Sequence, residues 1–122
     1  MHETLTDENG QTYPMVGAIR GGCHNTGKLV RFGYVNVTEQ ESHFLSQKVI
    51  RAHEFHYYDS DNNGESCEAV KPTTGRKWKC IHEGENFWWG YPHLYYPSNP
   101  AFVEHFIGEA KKWKKREDRC KS

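Results

Sequence analysis

Only one stretch of this chain carries a helical period. Phe102, Val103, Phe106, Ile107, Ala110 and Trp113 recur at spacings of three and four, which puts them on one stripe of a helix. Ser98-Asn99-Pro100 stands just before it, a capping residue followed by a proline suited to the first helical position. Lys111, Lys112, Lys114, Lys115 and Arg116 crowd the far end, where cations complement the helix dipole. Everything upstream is short, alternating or aromatic segments broken by Gly, Asn and Pro. With so few helical crossovers available, strands pair mostly antiparallel, so the predicted fold is α/β: mixed, mostly antiparallel strands plus a C-terminal helix.

The strands are placed by alternation. Val30, Phe32 and Tyr34 alternate, then Val35 and Val37 continue on the opposite phase, which predicts a strand with a bulge or bend at Gly33. Residues 49–58 form a second long candidate, Cys67–Val70 a short one, and 77–82 a strand with one wet face. Residues 87–96 read as an aromatic strand, placed at an edge or interrupted by Pro92. Residues 13–19 are a further short strand, whereas 20–27, with three glycines, read as a loop. Residues 59–64 and 72–75 are turns, and Asn9-Gly10 marks another in the polar start.

Composition limits what such a fold can do. At 122 residues this is one small domain or a piece of a larger one. Sixteen basic residues balance sixteen acidic ones, which argues against binding nucleic acid or membrane surfaces through bulk charge. Leu, Ile, Val and Phe together number only 21, so the 17 aromatic residues must supply much of the burial. No run of about 18 apolar residues predicts a membrane span. The opening Met-His-Glu-Thr-Leu-Thr-Asp-Glu has neither the basic nor the apolar region of a signal peptide. The four cysteines are therefore expected as free thiols of a cytoplasmic protein.

Residues 51–58, Arg-Ala-His-Glu-Phe-His-Tyr-Tyr, carry the densest chemistry. On a strand, Glu54 and His56 point to one face and His53 to the other. A carboxylate beside an imidazole orients it and raises its pKa. His93 lies in Gly-Tyr-Pro-His-Leu-Tyr-Tyr just ahead of the helix, a strand end suited to a general base. Gly21-Gly22-Cys23-His24 imitates a nucleophile elbow, but no helix follows it, so Cys23 reads as an ordinary loop thiol. His53 and His56 diverge on a strand, and Cys80 and His82 lack a second ligand pair, so no metal site is expected.

Taken in order, these segments resemble the C-terminal part of the cobyrinate a,c-diamide synthase family, ATP-dependent amidoligases of cobalamin (corrin) biosynthesis. Residues 51–57 are similar to that family's Arg-Gly-His-Glu-Phe-His-Tyr signature. Residues 90–96 with Ser98-Asn99-Pro100 resemble its Tyr-x-His-Leu-His-Phe…Ser-Asn-Pro ending, and Tyr13-Pro14-Met15-Val16-Gly17 and Phe32-Gly33-Tyr34-Val35 resemble two of its strands. The resemblance implies a partial class I-like glutamine amidotransferase domain over residues 1–122, with a polar tail from about 114 to 122. It implies His93 as the catalytic histidine, with Glu54, His56 and His53 in support, and glutamine as the substrate. ATP and Mg belong to the family's synthetase domain, so no cofactor is expected in this chain.

The departures are specific. The family's nucleophile sits in a Cys-Gly-Gly turn that these residues do not contain, and Met1-His2-Glu3-Thr4-Leu5 resembles the tail of the helix after that turn. Ala52, Tyr58 and Tyr95 replace the family's Gly, Ser and second His. The expectation is a truncated domain, inactive alone, that associates with an upstream amidotransferase segment or a synthetase domain. The alternatives are a non-catalytic binding or regulatory module and, third, a hydrolase using another cysteine.

Overall fold

The computed structural model describes residues 1–121. Its strands are β1 (His2–Thr6), β2 (Thr12–Pro14), β3 (Ile19–Asn25), β4 (Arg31–Glu39), β5 (Ile50–His56), β6 (Tyr58–Ser60), β7 (Cys67–Val70), β8 (Lys77–Cys80), β9 (His82–Gly84), β10 (Phe87–Trp89) and β11 (His93–Leu94). A single 3₁₀ turn, Tyr96–Ser98, leads into the helix α1 (Pro100–Lys121). The architecture is α/β, with mixed and antiparallel sheets and one C-terminal helix.

The main sheet has the order β11-β5-β4-β7-β8 and is antiparallel throughout. A second sheet, β2-β1-β3-β6, contains the parallel pair β1–β3. β9 and β10 form a separate two-stranded ribbon. One face of the main sheet is the core: Val35, Val37, Ile50, Ala52, Cys67, Ala69 and Cys80 are buried there beneath Phe44, Leu45, Ile81 and Phe102. Asn99 closes this layer. It stands just before the helix, as its capping position predicts, but its side-chain amide donates to the Leu45 carbonyl at 3.0 Å and so ties the 40–48 loop to the helix start.

Several expectations are corrected. Residues 2–6 are a strand, not the tail of a helix; His2–Thr6 is bonded on both sides, to β2 and β3. Residues 19–25 are also a strand, not a loop. Gly22 fits there because a Cβ would come within 2.8 Å of the Thr4 hydroxyl on the neighbouring strand, and Gly21 adopts a φ of 97°. No extra residue interrupts β4, since its register with β5 is unbroken from Arg31 to Val37, but the backbone does depart from regular strand geometry at Gly33, whose φ is 108°. Phe32 and Tyr34 simply point to the sheet's other face. The aromatic strand 87–96 is divided into β10 and β11 by the segment holding Pro92. Ile81, at φ 71°, likewise separates β8 from β9. The polar stretch from 114 onward is helical to Lys121, and Ser122 lies outside the described residues. The helical stripe exists, yet only its first turn is buried: Phe106, Ile107 and Trp113 are exposed. Among the described residues, no helix is long and apolar enough to cross a membrane.

Candidate functional site

Strand alternation decides which of the candidate residues meet. β5 places Glu54 and His56 on the buried face and His53 on the opposite one. β11 pairs His93 with His53 and Leu94 with Ala52. Directly opposed residues share a face, so the two histidines stand side by side on the outer face. The four candidates therefore do not form one cluster. Glu54 is on the wrong side of the sheet to orient His93.

The outer neighbourhood is open. His93 is exposed on the edge strand and borders a cavity of about 790 Å³ together with Tyr34, Arg51, His53, Pro72 and Tyr95. His53 meets Tyr34 and Phe32 edge-on, with ring centroids 5.6 and 6.0 Å away. On its other side, His93 borders a second cavity of about 740 Å³, walled by Phe87, Trp88, Phe102 and Phe106. A solvent-reachable imidazole on the rim of a cleft is suited to moving a proton to or from a bound group.

The inner neighbourhood is closed and fully bonded. The Glu54 side chain is 1% exposed and that of His56 9%. Glu54 Oε2 lies 3.0 Å from His56 Nε2, and Glu54 Oε1 accepts from the Trp78 indole at 3.2 Å. His56 Nδ1 lies 2.6 Å from the Tyr58 carbonyl oxygen. Tyr91 stacks on the His56 ring at 4.0 Å, nearly parallel, and its hydroxyl is 3.1 Å from Cys23 Sγ. Burial opposes the charge on His56, but the hydrogen bonds to Glu54 and Tyr58 and the charge of Glu54 outweigh it and hold the pKa above the ordinary value. Burial raises Tyr91 well above the usual phenol range, helped by its bond to Cys23. Asp59 is held below the usual carboxylate value: burial opposes this, but bonds from Ser60 and Asn63 and the nearby Arg31 prevail.

Trp78 and Tyr91 are the members that sequence reasoning missed as site residues. The alternation of Trp78 with Cys80 places Trp78 on the face of Glu54. The position of Tyr91, two residues ahead of His93, gives no sequence signal that it reaches His56.

None of the four cysteines is placed to attack a substrate at His93. Cys67 and Cys80 are buried, and burial pushes both thiols up, Cys80 to about 12. Cys23 lies against Tyr91. Cys120 is near the far end of a helix that runs about 30 Å from its start. Among the described residues, no group of three or more His, Cys, Asp or Glu is arranged to hold a metal ion.

The chain is related to the cobyrinate a,c-diamide synthases. The enzyme of that name from Priestia megaterium is 34% identical over 110 residues, covering 84% of this chain and 23% of the relative. That from Fusobacterium nucleatum is 31% identical over 100 residues, 78% of this chain and 21% of the relative. That from Caldanaerobacter subterraneus matches 97% of this chain at 28% identity. The chain thus spans about a fifth to a quarter of the length of the curated relatives it matches. No family profile and no solved structure matches it.

Proposed function

We propose that these 122 residues are the histidine-bearing part of the glutaminase domain of a cobyrinate a,c-diamide synthase-like amidoligase. The observation that carries the reading is His93, exposed on the rim of a cleft in a chain related to these synthases over most of its length. In this role a cysteine thiolate attacks the glutamine carboxamide carbon. His93 moves the proton that lets ammonia leave, and water then releases glutamate from the thioester. An amide is a poor electrophile, so both the base and donors to the oxyanion are needed. The released ammonia serves the synthetase chemistry, where it displaces phosphate from an acyl phosphate.

Since no cysteine here is placed for attack, the nucleophile in this reading comes from a Cys-Gly-Gly turn outside these residues, and residues 1–122 alone release no ammonia. The second reading is a binding or regulatory module that associates with a synthetase. Its support is the exposed apolar side of α1, with Phe106, Ile107 and Trp113.

A chimera separates the two. The matching segment of the Priestia megaterium synthase is replaced by this chain, and glutamine-dependent ammonia release is measured. The glutaminase reading expects release that His93→Ala lowers by about a thousandfold or more. A folded chimera that releases none, while the parent does, overturns it and leaves the module.

A further inference from the structure

His56 faces a hydrogen-bond acceptor on each side of its ring. Both ring nitrogens face oxygens: Nδ1 the Tyr58 carbonyl at 2.6 Å, Nε2 the Glu54 carboxylate at 3.0 Å. A neutral imidazole carries one N–H, so it can donate to only one of them. The second proton can sit on Nε2 or on Glu54. The Trp78 indole already donates to the other Glu54 oxygen, at 3.2 Å. An imidazole is the stronger base. The pair is therefore imidazolium and carboxylate, enclosed in the core side of the sheet.

The charged ring is then covered by one aromatic face. Tyr91 lies over it at 4.0 Å with an interplanar angle of 10°, and a π face attracts a cation. Tyr91 belongs to the segment that ends in His93. In that segment Pro92 is buried and Leu94 packs on the core, but β11 is a two-residue edge strand, so little backbone pairing fixes where His93 stands.

We infer that Glu54 and His56 are positioning residues for His93, acting through the sheet: doubly protonated His56 seats the Tyr91 ring and so fixes where the chain delivers His93 on the opposite face. The role assigned to His93 rests on the glutaminase reading above. The seating itself does not.

Other groups around His56 bear on its charge. Arg31, directly opposite on β4, works against it, and Asp59 on β6 offsets Arg31 at 3.8 Å. Trp78 on β8 donates to the carboxylate, and Cys23 on β3 lies against the Tyr91 hydroxyl. Cys80, also on β8, has its thiol pushed up by burial and by Glu54, so it stays uncharged. The one partner that supplies His56 with a full counter-charge by direct bonding is Glu54.

The test uses the 122-residue chain. Nuclear magnetic resonance follows the His56 ring nitrogens and carbons from pH 5 to pH 9, and amide exchange is read at residues 90, 91, 93 and 94. The expected result is a titration above the ordinary histidine value of about 6.5, with the protection of amides 91, 93 and 94, taken relative to the base-catalysed rate of an unfolded chain at each pH, falling as His56 loses its proton. A titration at or below that value overturns the inference. So does exchange that ignores the step. This measurement needs no variant and no turnover. Glu54→Gln, which keeps size and removes charge, should lower the His56 titration and speed exchange at 93 and 94. In the chimera it should reduce kcat by about tenfold, with His93 itself unchanged. An active chimera whose kcat ignores Glu54→Gln overturns the positioning role. An inactive chimera with the titration as expected removes the glutaminase reading and leaves the seating in place.

Discussion

The two faces of the main sheet share the same backbone and are built on opposite principles. On the inner face, aliphatic residues give way along β5 to a buried ion pair. Each polar atom of that pair has a partner: Glu54 holds His56 and Trp78, and His56 holds Tyr58. On the outer face, Phe32, Tyr34 and Phe55 are exposed aromatics around His53 and His93. Alternation along one strand is enough to keep the two chemistries apart while leaving them one residue from each other. A sequence motif such as His-Glu-Phe-His therefore codes for two neighbourhoods, one enclosed within the sheet's inner layer and one that lines an open cleft. Burial is what makes a charge expensive to leave unpaired, so the inner face should respond strongly to substitution and the outer face weakly.

The largest test of that contrast removes one member of the pair. Glu54→Ala leaves a buried imidazolium and an indole N–H without their acceptor. Breaking a buried pair in this way costs about 3–5 kcal/mol, a large share of the roughly 5–15 kcal/mol that holds an ordinary domain together. Urea unfolding should show a much lower midpoint or no cooperative transition. A loss under about 1 kcal/mol would mean that the pair behaves as a surface contact.

Next comes a matched pair of truncations on β5. Ile50 is fully buried on the inner face, and Ile50→Ala should cost about 3 kcal/mol through lost burial and a residual cavity. Phe55, half exposed, meets Phe32 and Tyr57 edge-on at 5.7 and 5.9 Å. Phe55→Ala should cost about 1 kcal/mol. Equal losses would show that the outer face is packed against another surface in solution.

These contrasts also explain what the sequence made legible. β5 and the split of its side chains could be read because Ile50, Ala52, Glu54 and His56 alternate with Arg51, His53 and Phe55. The helix could be read from Asn99-Pro100 and its stripe. Its packing could not, because a stripe says which side chains align and not what covers them; Phe106 and Trp113 remain exposed. β1 and β3 were hidden for a different reason. His2–Thr6 is polar, and residues 19–25 hold adjacent glycines, so neither carries an apolar period. Their pairing is long-range, and the glycines are there to let the strands approach. At the site, the outer placement of His93 follows from its register with His53, and register is not visible in either segment alone.

pH gives a smaller perturbation of the inner face. The folded-state pKa of His56 is raised, so its contribution is complete below the unfolded value of about 6.5 and is lost as pH rises through the folded value. Asp59 has the opposite sign. Its pKa is lowered, so its contribution holds above the ordinary carboxylate range and disappears as pH falls through the folded value. Unfolding midpoints across pH 3 to 9 should fall at both ends. The loss at high pH should be smaller than that of Glu54→Ala, because a neutral His56 keeps one of its two bonds. It should vanish in His56→Gln, and persistence there would assign it to another group.

The smallest effect on stability is expected at Tyr34, which is 76% exposed on the outer face. Its ring touches His53 edge-on at a centroid distance of 5.6 Å and makes no buried hydrogen bond. Tyr34→Ser removes little that water does not replace, so the folded monomer should change by less than about 0.5 kcal/mol. What it should change is association. Phe32, Phe55, Tyr57 and Tyr95 are also exposed, and apolar patches beyond a few hundred square ångströms promote contact with other surfaces. Sedimentation at rising concentration should show the unmodified chain associating and the Tyr34→Ser variant doing so less, with unchanged unfolding at low concentration. If the variant unfolds more easily when dilute, Tyr34 contributes to the fold and the division between the two faces is less complete than alternation implies. If association is unaffected while unfolding is unchanged, the sticky surface is the exposed stripe of α1, and Trp113→Ser becomes the substitution that should relieve it.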